Sequence, residues 1–150
     1  HLPILGIPFG LALLVYGVLR HQQEIQKLAL AVFVLCGLAL VPVYLTGEPS
    51  EEAVENLPAV SEPILEQHED AARLSLIVVE LLAAGSLLGL AAYRRHDVPG
   101  GVIVPLMLLA LLSSGSLTYT GYLGGQIRHS EIRAGSAVVV PAEEGHVDDD

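Results

Sequence analysis

Residues 28–45 read LALAVFVLCGLALVPVYL, a run of eighteen residues without one charged side chain. An α-helix that crosses the hydrocarbon core of a bilayer needs about 20 predominantly apolar residues, so this run predicts a membrane span. Three further runs of comparable length predict three more spans, at Leu2–Leu19, Leu74–Tyr93 and Val102–Leu123. The sequence therefore predicts an all-α integral membrane protein, built as a four-helix bundle with up-down topology.

The overall composition supports the same fold class and excludes several kinds of site. Of 150 residues, 52% are hydrophobic and the mean hydropathy is +0.57, which is too apolar for an ordinary soluble domain. Cys36 is the only cysteine, which excludes a disulfide framework, the Cys-x-x-Cys-His attachment of c-type haem and a cysteine-ligated iron–sulfur cluster. The formal net charge of -10 argues against nucleic acid as a partner.

The positions of the basic residues predict how the bundle lies in the membrane. Four of the seven Lys and Arg residues flank the first and third predicted connections: Arg20, Lys27, Arg94 and Arg95. The second connection, predicted from Thr46 to about Glu62, has no basic residue. The positive-inside rule then predicts that both termini lie on the outer, periplasmic face of a bacterial inner membrane. Arg128 and Arg133 oppose this orientation but are outnumbered.

The chain divides into two predicted parts. Residues 1–133 form the transmembrane domain with its connections. Residues 134–150 end in three aspartates and are predicted to be an acidic, flexible tail, because such a segment buries too little apolar surface to fold.

Three histidines are predicted to meet at the outer face. His1 precedes the first span, His68 precedes the third and His129 follows the fourth. Neutral imidazole is the usual nitrogen ligand of iron, copper and zinc, and its second nitrogen commonly donates to a carboxylate or carbonyl. Glu69 and Glu131 adjoin two of these histidines and are predicted either to orient them or to bind a metal directly, and Glu48 is a further candidate oxygen ligand.

Two ionisable residues lie at or within the third span. Such residues are rare in membrane helices and usually face a bundle interior or a cavity. Arg73 is spaced to pair with Glu69 across one helical turn. Glu80 is predicted to donate a hydrogen bond to a neighbouring helix or to relay protons.

Glycines at four-residue spacing predict where helices approach closely. The pairs are Gly6 with Gly10, Gly85 with Gly89 and Gly121 with Gly125. Each pair is predicted to form a packing seam inside the bundle, or a contact in a homo-oligomer.

The chain resembles DUF2231, a group of small bacterial membrane proteins with four helices. The resemblance covers about residues 1–133 and rests on four segments: residues 1–4, residues 45–48 with Glu51 and Glu52, residues 68–69, and residues 124–133. Some relatives are joined to Rieske-type or c-type cytochrome domains, so the resemblance implies membrane redox chemistry. This chain has neither pattern, and such a partner is therefore expected to be a separate membrane or periplasmic subunit.

Three functions are compatible with these features. The first is an electron-transfer subunit that holds b-type haem near the periplasmic face through His1 and His68, with His129 as an alternative ligand and Arg128 neutralising a propionate. The second is a single non-haem metal ion bound by His1, His68 and His129 with Glu69 or Glu131. The third is an accessory subunit of a larger complex without a cofactor. An open coordination position at such a metal ion could support enzymatic redox chemistry, so whether the protein is an enzyme stays open, with a subunit favoured over a stand-alone enzyme.

Overall fold

The computed structural model describes residues 1–54 and 62–128, and these form four α-helices. The helices are α1 (Leu2–Leu19), α2 (Gln23–Val54), α3 (Glu62–Ala92) and α4 (Gly100–Arg128). The prediction of an all-α protein with four helices is confirmed. The predicted tail, residues 134–150, lies outside the described residues.

Each helix is long and apolar enough to cross a membrane. The mean hydropathy of the candidate spans lies between 1.9 and 2.6. Large apolar side chains are exposed on every helix, among them Leu5, Leu38, Leu88 and Leu112. Lipid is a suitable solvent for such a surface, whereas water is not. The chain is therefore a multi-pass membrane protein whose outer surface contacts lipid.

The helices pack in a ring, with each helix against two neighbours. α1 packs on α2, α2 on α3, α3 on α4, and α4 on α1. Within the described residues α1 does not contact α3, so these two helices are diagonal in the bundle. Gly6 approaches Cys36 and Gly17 approaches Gln26, which shows that α1 and α2 run antiparallel. The close approaches between α2 and α3, and between α3 and α4, show in the same way that these pairs are antiparallel. The starts of α1 and α3 therefore lie at one end of the bundle.

The second connection is shorter than predicted. The prediction began it at Thr46, but α2 continues past the apolar run to Val54, and α3 begins at Glu62. The prediction was wrong here because hydropathy marks where lipid ends, whereas backbone hydrogen bonds decide where a helix ends. The two middle helices therefore extend beyond their apolar runs on the face that carries the acidic residues.

Hydrogen bonds tie the two short connections together at the basic end of the bundle. His21 ends α1 in a left-handed conformation with a φ of 52°. Gln26 Nε2 donates to the Gly17 carbonyl at 3.1 Å, and Gln23 Oε1 accepts from the Val98 backbone N–H at 3.0 Å. The cavity described below lies at the opposite end of the bundle.

The predicted glycine seams lie inside the bundle. A Cβ at Gly10 would meet the Phe33 ring at 2.6 Å, and one at Gly85 would meet Leu106 at 2.9 Å. A Cβ at Gly121 would lie 3.0 Å from Ile4. Members of all three predicted pairs thus contact a neighbouring helix of the same chain, and the absence of a Cβ allows the close approach.

Gly37→Ala is expected to lower the thermal stability of the detergent-purified protein. The added Cβ would lie 2.5 Å from the Ala83 Cβ, and neither methyl group can rotate away. Overpacking of this kind costs about 1–3 kcal/mol, because α2 and α3 must separate. Gly115→Ala is the matched control, since nothing lies within 4 Å of its added Cβ. Equal melting temperatures for the two variants would contradict the close packing at Gly37.

Candidate functional site

A cavity of about 620 Å³ lies between the helices at the end of the bundle where α1 and α3 begin. Every helix contributes a polar group to its lining: His1 just before α1, Tyr44 from α2, His68 from α3 and Thr120 from α4. The volume falls in the range of about 300–1,000 Å³ that is common for small-molecule and cofactor sites. The two histidines from diagonal helices therefore share one cavity.

Apolar side chains form most of the cavity wall. They come from all four helices and include Pro3, Ile4, Leu40, Val43, Leu65 and Leu117. Pockets that are mainly apolar, with a few polar groups in defined positions, bind ligands that are themselves largely apolar. The wall thus favours a flat or elongated apolar ligand with a small polar part.

The His68 side chain is half-buried and held by α4. Its Nδ1 lies 3.0 Å from the backbone carbonyl oxygen of Thr120. A carbonyl can only accept, so Nδ1 carries the proton and donates it in this bond. In the neutral ring, Nε2 then keeps its lone pair, which is the arrangement typical of a histidine that binds a metal.

Gly124 provides the space that the His68 ring occupies. A Cβ at position 124 would lie 3.1 Å from His68 Cε1 and 3.5 Å from Nδ1. α4 continues through Gly124 to Arg128, so this glycine does not end the helix. Its role is to let the imidazole lie directly against the α4 backbone.

A second bond between α3 and α4 supports the first. Thr120 Oγ1 donates to the Ser116 carbonyl at 3.0 Å, and this uses its single proton. Ser75 Oγ, 2.9 Å from Thr120 Oγ1, is therefore the donor in their bond. Thr120 thus receives two hydrogen bonds from α3, which fix the position of the carbonyl that His68 contacts.

An ion pair borders the cavity. The predicted pair forms, with Arg73 Nη2 at 3.2 Å from Glu69 Oε1, and both residues line the cavity. Tyr44 lines the same cavity from α2. This ion pair is the charged part of a cavity whose wall is mainly apolar.

Several predicted site residues cannot be compared with this geometry. His129 and Glu131 lie outside the described residues, and the side chains of Arg128 and Glu48 are not described. Within the described part of the chain, no three His, Cys, Asp or Glu side chains group together as metal ligands. The predicted three-histidine set is therefore represented here by His1 and His68 alone.

Glu80 lies deeper in α3 and does not line the cavity. A Cβ at Gly37 of α2 would lie 3.5 Å from each of its carboxyl oxygens. Its Oε1 is buried and has no hydrogen-bond partner among the described residues. The predicted hydrogen bond to a neighbouring helix is therefore not formed by this oxygen in the described part of the chain.

Comparison with known proteins adds no assignment to this cavity. No protein-family model, curated protein or solved structure matches the chain. The resemblance to DUF2231 stays a prediction. A function has to be argued from the geometry of the cavity itself.

Sequence reasoning did not include Tyr44, Ser75 or Thr120 in the site. Ser75 follows His68 by seven residues, which puts both on one face of α3, so the helical repeat contained a usable signal. No comparable signal points to the Thr120 carbonyl, because every backbone carbonyl looks the same in a sequence. The packing of α3 on α4 selects it.

Proposed function

We propose that the protein is a membrane electron-transfer subunit that holds b-type haem in the cavity through His68 and His1. The observation that carries this proposal is the bond between His68 Nδ1 and the Thr120 carbonyl in a cavity with apolar walls. Histidines that ligate iron usually donate their other ring nitrogen in this way.

The second ligand is His1, which directly precedes the diagonal helix α1. Cofactors are bound in many bundles between side chains on facing helices, and His1 and His68 line the same cavity from the start of α1 and from α3. Apolar side chains from four helices suit the face of a porphyrin and exclude water from it. His129 remains an alternative second ligand.

Bound haem supplies reversible one-electron chemistry at its iron. The chain's own residues do the rest. The Thr120 carbonyl fixes the tautomer and the orientation of His68 and increases the basicity of its Nε2. A more basic nitrogen ligand would favour oxidised iron, so this bond is expected to lower the reduction potential of a bound haem.

The cavity end is proposed to face the periplasm of a bacterium. Arg20, Arg94 and Arg95 are exposed at the opposite end, which favours a cytoplasmic location for that end. Electrons would then pass to or from a separate redox subunit at the periplasmic face. The acidic residues beyond the apolar parts of α2 and α3 favour a partner with a positively charged surface.

A spectroscopic experiment tests the proposal. The full chain is produced with ample haem, purified in detergent and examined by a reduced-minus-oxidised visible spectrum together with a pyridine haemochrome assay. We expect the sharp bands of haem b at about one haem per chain. A blank spectrum would overturn the proposal, and elemental analysis of that sample would then separate a bare metal site from an accessory subunit.

A further inference from the structure

We propose that Arg73, assisted by Tyr44, binds a carboxylate of the cavity ligand, and that Glu69, which pairs with Arg73, competes with that carboxylate. This inference rests on the proposed function and specifies how the polar part of the ligand is recognised. In haem the carboxylates are the propionates.

Arg73 is a basic side chain that lies where it can bind a carboxylate of a ligand in the cavity. Among the residues whose side chains are described, it is the one Lys or Arg at the cavity end of the bundle. It lines the cavity together with His68, less than two helical turns away on α3. A guanidinium has five N–H donors in a planar fork that matches a carboxylate.

The existing ion pair leaves most of this capacity unused. Arg73 meets Glu69 through one contact, Nη2 to Oε1 at 3.2 Å, and the two side chains are 59% and 45% exposed. Exposed pairs one helical turn apart contribute little to stability. A ligand carboxylate that accepts two parallel N–H bonds from the guanidinium forms a stronger contact than the single one that Glu69 makes.

Tyr44 adds a second donor. It lines the same cavity from α2 as Arg73 does from α3, and its phenolic O–H can donate a hydrogen bond. A carboxylate bound to Arg73 can accept this proton. The pair can therefore hold a carboxylate from two different helices, α2 and α3.

Affinity for haem and for its dimethyl ester tests this inference. The ester keeps the porphyrin and the iron but has no negative charge on its side chains. We expect the wild-type protein to bind haem about tenfold more tightly than the ester, since one charge-assisted hydrogen bond corresponds to at least that factor. Arg73→Gln is expected to bind both compounds equally, at the level of the ester.

Three further variants sharpen the result. Arg73→Lys keeps the charge but not the planar fork, so it should show a reduced preference for the free acid. Glu69→Gln is expected to tighten binding of haem several-fold and leave the ester unaffected, because the competing carboxylate is gone. Arg95→Gln, exposed at the opposite end of the bundle, is the control and should behave like the wild type.

The outcomes that overturn the inference are distinct from those that overturn the proposed function. A wild-type protein that binds both compounds equally well retains the haem site and contradicts the role of Arg73. A preference for haem over its ester that persists in Arg73→Gln also contradicts the role of Arg73. The same holds for a preference that is lost in Arg128→Gln but not in Arg73→Gln. Failure to bind either compound contradicts the haem site itself and the role of Arg73 with it.

Discussion

Replacing His68 with glycine is expected to abolish stable haem binding, and imidazole added to the buffer is expected to restore it. The substitution removes the proposed ligand and leaves a space of the same shape against Gly124. Free imidazole can occupy that space and donate to the Thr120 carbonyl as the side chain does. The haem content of the purified protein and its visible spectrum, with and without imidazole, measure both effects.

His96→Gly is the matched control for this prediction. His96 is exposed in the connection at the opposite end of the bundle, so its loss should leave the haem content unchanged. His68→Gly also removes a hydrogen bond and introduces a glycine into α3, which together cost about 2 kcal/mol. Its thermal stability is therefore recorded alongside. A folded His68→Gly protein that still binds haem without imidazole would refute His68 as a ligand.

Gly124→Val is expected to weaken haem binding more than tenfold while every proposed ligand remains in the chain. Even a Cβ at this position would lie 3.1 Å from His68 Cε1, and the two methyl groups of valine extend further. The imidazole would have to leave the α4 backbone, losing its bond to the Thr120 carbonyl and the orientation which that bond sets. Haem titration measures the affinity, and electron paramagnetic resonance reports whether two imidazoles still ligate the iron.

The same substitution at Gly115 separates this effect from a general effect on the helix. Gly115 lies on α4 two to three turns earlier, and nothing lies within 4 Å of its added Cβ. Gly115→Val should leave affinity and spectrum as in the wild type. Gly124→Ala, which forces a displacement of only a few tenths of an ångström, should give an intermediate affinity. Wild-type affinity in Gly124→Val would mean that the His68 position seen here is not needed for binding.

Most of the fold was predictable from the sequence, and the errors in the predicted helix ends have one cause. The predicted first span, Leu2–Leu19, has the same bounds as α1. This helix begins and ends where its apolar run does. α2 and α3 exceed their predicted spans on the acidic face, where the apolar run stops but the helix does not. Hydropathy reports the solvent around a helix, and a helix that leaves the membrane keeps its hydrogen bonds in water.

The site was predictable only in part. Four spans in alternating directions bring the starts of α1 and α3 to one end, and for this reason His1 and His68 line one cavity. The i, i+4 spacing of Glu69 and Arg73 was sufficient to predict their ion pair. Whether His129, Glu131 and Arg128 join this site stays a prediction.

The sequence by itself determined that this is a membrane protein of four helices, and which residues lie at each end. These properties follow from the length and polarity of runs along the chain, and such runs are local. Only the tertiary structure decided that His68 donates to the Thr120 carbonyl, that Gly124 makes room for its ring, and that Arg73 and Tyr44 line one cavity. Those contacts depend on the rotation and register of one helix against the next, which packing between distant residues sets and no local pattern encodes.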